Sequence, residues 1–172
     1  MAIIRKANIE NFEKLRELAI KIFTETFEAE NNPADFKIYM EEAFSAEKIK
    51  SEYSEEGSQY FEALEDGQLV GYARIRQNNE ADPYLGKNHI ELMRFYVDSP
   101  WQGKGIAKQM LTACEAHTQQ LGKEWIWLGV WEHNLKAQRF YKKHGYEKFS
   151  EHAFMVGHDE QTDWLMKKKL NP

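Results

Sequence analysis

The sequence predicts a mixed α/β fold: a central, mostly antiparallel sheet containing one parallel strand pair, flanked by helices. Three observations predict it. Asp66-Gly67 lies between two strand-like runs, Gln59 to Leu64 and Leu69 to Arg76, and Asp-Gly supplies the positive backbone angles of a two-residue hairpin turn. His89 to Val130 reads strand, helix, strand, a crossover long enough to make its two strands parallel. Before the hairpin, apolar residues recur at helical spacing, so the helices overlie the sheet. With 172 residues, 42% of them hydrophobic, residues 1–172 are expected to form one domain around one core.

In order along the chain, Ala2 to Lys6 reads as a first strand. Asn8 can cap a helix that carries Phe12, Leu15, Ala19, Ile22, Phe23 and Phe27 on one side and ends near Asn31 and Asn32. Asn32 caps a second helix, with Pro33 in its first turn and Phe36, Tyr39, Met40, Ala43 and Phe44 as its apolar side; Ser45 caps a third, through about Tyr53. After the hairpin, the polar stretch Gln77 to Asn88 reads as a loop. Strand His89 to Val97, helix 103–121 stopped at Gly122, and strand Trp125 to Val130 follow. A helix from Asn134 to His144 stops at Gly145, and Tyr146 to Phe154 and Thr162 to Leu170 form a last strand pair.

Composition narrows the function classes. A net charge of -5 argues against a general nucleic-acid binder, and the densest basic run, Lys167 to Lys169, reads as a solvated strand end. Cys114 is the sole cysteine, which excludes an internal disulfide, and its spacing from Met110 and Leu111 places it on the apolar side of its helix. The opening MAIIRKANIE lacks the apolar core of a signal peptide, and no apolar run reaches spanning length. A cytoplasmic protein with no membrane partner is expected.

The informative stretch is Glu91 to Leu111, ELMRFYVDSPWQGKGIAKQML, a strand, a turn and a helix start. Glycines at the head of a helix let a ligand approach free amides, and an anion suits that place. A triphosphatase loop would need glycine at Asp98 and Ser or Thr at Gly105, and a dinucleotide fingerprint a small residue at Lys108; both fail. What remains, Gln102-x-x-Gly105-x-Ala107, resembles the pyrophosphate-binding motif of the GNAT acetyltransferase superfamily. The resemblance implies acetyl-coenzyme A as co-substrate, its diphosphate on the amides of Gln102, Gly103, Lys104, Gly105, Ile106 and Ala107, and a parallel strand pair that splays apart.

A second piece, Asn134-x-x-Ala137-x-x-Phe140-Tyr141 before Gly145-Tyr146, resembles the same superfamily. It implies that Asn134 contacts the pantetheine arm and that Tyr141 is the general acid protonating the leaving thiolate, as a phenol can at neutral pH. Glu91 matches the general-base glutamate of some members. Glu132 and His133 are other candidates, with His89 and His152 behind them. The backbone of Tyr96 and Val97 should face the pantetheine amides as an added strand would, and Arg139 and Lys142 could reach the phosphates. No metal is expected.

The chain also resembles the PaiA-type spermine/spermidine N-acetyltransferases. The resemblance lies in Thr24-x-Thr26-Phe27, Asn31-Asn32, Phe44-Ser45, Ile126 to Asn134, and the tail His152-x-Phe154-x-x-Gly157-x-Asp159-x-Gln161-Thr162-Asp163. Met93-Arg94 departs from the Glu-Arg often found there. The implied reaction is transfer of acetyl to a primary amine, a polyamine foremost; direct transfer is expected because the lone cysteine has no placed base partner, and carboxylates among Glu28, Glu30, Asp35, Glu41 and Glu42 near the first two helices are expected to attract the amine. Alternatives are a protein or peptide amine as acceptor, or a non-catalytic acetyl-coenzyme A sensor, which would have no use for a phenol at the thiol. A homodimer is compatible with this reading.

Overall fold

The computed structural model describes residues 1–171. Seven strands form one sheet: β1 (Ile3–Lys6), β2 (Gln59–Glu65), β3 (Gln68–Arg76), β4 (His89–Val97), β5 (Trp125–Trp131), β6 (Glu147–Val156) and β7 (Asp159–Lys169), in the order β1-β2-β3-β4-β5-β7-β6. Every neighbouring pair is antiparallel except β4 and β5, which are parallel, as the crossover predicts.

Alternation along the strands gives the sheet two apolar faces. One carries Tyr60 and Tyr72 and is covered by α1 (Phe12–Phe27), α2 (Pro33–Ala43) and α3 (Ala46–Ser54), through Leu15, Phe23, Phe36 and Ile49. The other carries Ala63, Ala73, Ile75 and Ile126 and packs against α5 (Ile106–Gln120) and α6 (Leu135–Lys143), through Met110, Cys114 and Tyr141. Asn32 and Ser45 cap α2 and α3 as read, each side-chain oxygen accepting backbone N–H bonds from the first turn. Asn8 instead caps a 3-10 turn, Ile9–Asn11, that leads into α1. The stretch read as a loop before β4 holds another 3-10 turn, Asn79–Ala81, and one helical turn, α4 (Asp82–Leu85).

Two irregularities shape the middle of the sheet. Arg74 pairs with Arg94 but Ile75 pairs with Leu92, so Met93 is the extra residue of a bulge in β4. On the other side, β4 and β5 are in register only over His89 to Glu91 against Trp125 to Trp127. Beyond that the strands part, and a cleft opens between them.

Candidate active site

The turn after β4 leaves its backbone amides open at the start of a helix. Gly103 and Gly105 take φ of +77° and +82°, so α5 starts at Ile106 and not at 103 as its apolar spacing suggested. Residues 102 to 105 are exposed, and among the described residues no backbone amide from Gly103 to Lys108 donates to a backbone carbonyl. These free, outward amides at a helix start fit a diphosphate. The turn is held from three sides. Gln102 Nε2 donates to the Val97 carbonyl at 2.9 Å, Lys136 of α6 bonds Gln102 Oε1, and Lys21 of α1 reaches Asp98 Oδ1 and Oδ2 at 2.8 and 2.7 Å.

The cleft, about 140 Å³, runs from this end of the sheet between β4 and β5 towards α1 and α2. Residues Leu92 to Tyr96 form one wall, Gly129 to Trp131 the other, with Asn134 and Tyr141 of α6 beside them. Asn134 caps α6, its Oδ1 accepting from Ala137 N at 3.2 Å. Tyr141 packs its ring against Tyr146 and Phe95, with centroids 5.6 and 6.1 Å apart. Tyr141 lines the cleft, and its hydroxyl has no hydrogen-bond partner among the described residues, so it does not cap a buried polar group. Burial pushes the phenol well above its usual range, so it holds its proton at any working pH.

At the far end the lining changes. Phe27, Tyr39, Trp131 and Phe154 bring four aromatic rings to the cleft, and Asn31 meets Gln161 across it at 2.6 Å. Asp163 of β7 is the carboxylate in this lining. Arg94 also faces the cleft, but Glu52 binds its guanidinium at 3.1 and 3.3 Å and the Phe44 ring stacks on it at 4.7 Å. Sequence reasoning passed over Asp163 except as part of a tail pattern, because its direction depends on how β6 and β7 pair. The expected carboxylates lie elsewhere. Glu28, Glu30, Glu41 and Glu42 are exposed, and Asp35 accepts a bond from His158 N at 2.9 Å where α2 meets the β6–β7 turn.

The base candidates separate clearly. Glu91 is buried, but its Oε2 accepts from Arg76 Nε at 2.6 Å and Asn78 Nδ2 at 2.9 Å, and it does not line the cleft. Arg76 is its cross-strand partner, and so takes the carboxylate before a substrate can. Glu132 and His133 pair with each other at the surface, 3.5 Å apart. His89 lies between Asp82, at 2.8 Å, and Trp127, whose Nε1–H donates to Nδ1 at 3.0 Å. His152 sits directly behind Asp163, Nε2 to Oδ2 at 3.4 Å. Of the basic residues on α6, Arg139 is exposed, and Lys142 lies 5.2 Å from the Trp164 ring centroid.

A model of the acetyltransferase (GNAT) family matches residues 12–146. A Lactobacillus delbrueckii subsp. lactis protein named an uncharacterized N-acetyltransferase is 37% identical over 152 residues, 86% of each chain. A spermidine N(1)-acetyltransferase of Thermoplasma acidophilum is 26% identical over 170 residues, 96% of each. Among solved structures, the PaiA N-acetyltransferase from Thermoplasma acidophilum in complex with coenzyme A superimposes with a TM-score of 0.80 at 24% identity, covering 98% of this chain and 99% of that one. Free amides on a glycine turn, a cleft between splayed parallel strands and this match over most of the chain agree: the protein belongs to the acetyltransferase (GNAT) family and is an acetyl-coenzyme A-dependent N-acetyltransferase.

Proposed function

We propose that the enzyme acetylates a cationic primary amine of the polyamine class by direct transfer. The observation that carries this reading is the lining of the acceptor end of the cleft, where Asp163 stands among aromatic rings. A carboxylate attracts an ammonium group, and ring faces favour both cations and the methylene chain between them. The spermidine acetyltransferase among its relatives supports the same choice.

When bound, acetyl-coenzyme A supplies the acetyl group as an activated thioester. The amides of Gly103 to Ala107 would hold its diphosphate, and the cleft edges of β4 and β5 its pantetheine arm. The acceptor must lose a proton before its nitrogen can attack, and the departing thiolate must gain one. Tyr141 is the proton donor of this reading: the residue lines the cleft, its hydroxyl is unengaged, and the buried phenol is protonated throughout the working range. Direct transfer is favoured over an acetyl-enzyme because Cys114 lies in the core under α5, outside the cleft, its thiol held neutral by burial.

An acceptor panel read as free thiol released tests the proposal. Spermidine and spermine should show a higher kcat/KM than a monoamine of similar length, an amino acid or a peptide amine. Equal kcat/KM for spermidine and a peptide amine would overturn the polyamine reading.

A further inference from the structure

Beyond Tyr141 and the anion turn, one row of titratable side chains leads from the cleft to the surface. Asp163 and His152 are cross-strand partners on β7 and β6, with Nε2 3.4 Å from Asp163 Oδ2. On its other side, His152 Nδ1 lies 2.5 Å from Glu80 Oε1, in the 3-10 turn Asn79–Ala81. Side-chain exposure rises along the row, from 13% at Asp163 to 25% at His152 and 40% at Glu80. Gly129 of β5 leaves the room for it: a Cβ there would stand 3.2 Å from Asp163 Oδ2 and 3.5 Å from His152 Nε2.

We propose that Asp163, His152 and Glu80 form a relay that withdraws the proton of the acceptor ammonium, Asp163 receiving it in the cleft and His152 passing it towards Glu80 and bulk water. The proposal rests on the reading that the acceptor amine lies beside Asp163. An N–H bond of the ammonium breaks, and its electron pair stays on nitrogen as the lone pair that attacks the acetyl carbonyl. The proton forms an O–H bond on Asp163 and crosses the hydrogen bond to Nε2 of a neutral His152, leaving a carboxylate and an imidazolium. The imidazolium then loses a proton to water, and exchange restores the neutral ring.

Base strength explains why a histidine stands behind the aspartate. A lone carboxylate titrates near pH 4, roughly six units below an alkylammonium of lysine type, and takes its proton poorly. His152 is far better matched: the Asp163 hydrogen bond outweighs the desolvation that opposes it, and with the Glu80 bond raises the imidazole to about 9. The groups around the pair leave this balance to those two carboxylates. Tyr39 of α2 and Tyr96 of β4 are raised phenols, Arg94 is bound by Glu52, and Lys148 and Glu151 on β6 pair with each other at 2.9 Å. Because the neutral ring is the accepting form, kcat at saturating amine should rise with pH towards about 9.

The test uses His152→Gln and Glu80→Gln with two acceptors, spermidine and a weakly basic amine such as trifluoroethylamine that is already neutral at pH 7. His152→Gln should lower kcat on spermidine by about 10²-fold, abolish the rise towards pH 9, and leave the acetyl-coenzyme A Kd from calorimetry unchanged. With the weakly basic amine most of the deficit should vanish, since no proton need be withdrawn before attack. A merely structural histidine would impair both acceptors alike. That result, or a wild-type pH profile in His152→Gln, overturns the relay. Should that variant fail to fold, Glu80→Gln at the surface removes one of the carboxylates that hold the imidazolium, and must move the inflection to lower pH; an unmoved inflection overturns the relay equally. A wild-type enzyme that releases no thiol with any amine would instead count against the proposed function.

Discussion

Tyr141 and Gly105 carry the two residue-scale expectations that bear most directly on the chemistry. Tyr141→Phe keeps the ring between Tyr146 and Phe95 and removes a hydroxyl that bonds nothing among the described residues. Its melting temperature should therefore match the wild type, while turnover falls roughly 10²- to 10⁴-fold at an unchanged acetyl-coenzyme A Kd. Turnover near wild type in a folded variant would remove the proton-donor role. Gly105→Asp places a carboxylate where the proposed diphosphate site would be. A Cβ there meets only Gln109 Nε2, at 4.0 Å, so the protein has room for it, although φ of +82° costs about 1–2 kcal/mol. Binding measured by calorimetry should be lost while the far-ultraviolet spectrum stays native. The structure places both where local pattern put them, at a helix start and beside the cleft: glycines open α5, and a tyrosine stands seven residues beyond a helix cap. Asp163 was not legible in this way, since the last strands were read as ending at Phe154 and resuming at Thr162, whereas they pair through to a tight turn at Gly157 and His158, and that register sets His152 opposite Asp163. Glu91 failed to reach the cleft for the same kind of reason, because the cross-strand neighbour that holds it, Arg76, is set by register alone.

Among the elements, α3 is tied to the sheet by charge as well as by Ile49. Glu52 is buried; it accepts the Tyr60 hydroxyl and binds Arg94, and Arg74 lies 3.5 Å away. Burial alone would raise its carboxyl, but Arg94 and then Arg74 overcome that and hold it below the ordinary carboxylate range. A depressed folded-state pKa means the stabilisation is fully present above the unfolded value and is lost as pH falls through the folded one. Glu52→Gln should thus cost about 3–5 kcal/mol near neutral pH, because it strands the buried Arg94 guanidinium while Arg74 keeps Glu55 and Ser58, and the gap to wild type should narrow in acid. Thermal melts across pH check both the size and the sign. The helices themselves were readable from apolar spacing and caps. Their junctions were less so: the 3-10 turn before α1 displaced the Asn8 cap, and two positive-φ glycines delayed α5 by three residues. The bulge at Met93 has no sequence signature, since it is defined by what β3 does opposite.

For the whole molecule, the proposed attraction of a cationic substrate draws on the net charge of -5 and a cleft ending in a carboxylate, and salt shortens its reach. The KM for spermidine should rise with ionic strength and that for a neutral amine should not, which steady-state assays in graded potassium chloride will show. The sheet order and its one parallel pair followed from the hairpin and the crossover, whereas the parting of β4 and β5 came only through family likeness, because nothing in either strand announces where its partner lets go. That parting has a colloidal consequence. A gap inside a sheet is two extra edges, and backbone left unpaired along an edge invites strands from other molecules. Leu92 to Tyr96 and Gly129 to Trp131 are such edges, with aromatic side chains at Phe95, Tyr96 and Trp131, and among the described residues no strand pairs with them across the cleft. Acetyl-coenzyme A should then act as a solubiliser: light scattering during slow heating below the melting transition should set in later with it than without, and Gly105→Asp protein should gain no such delay.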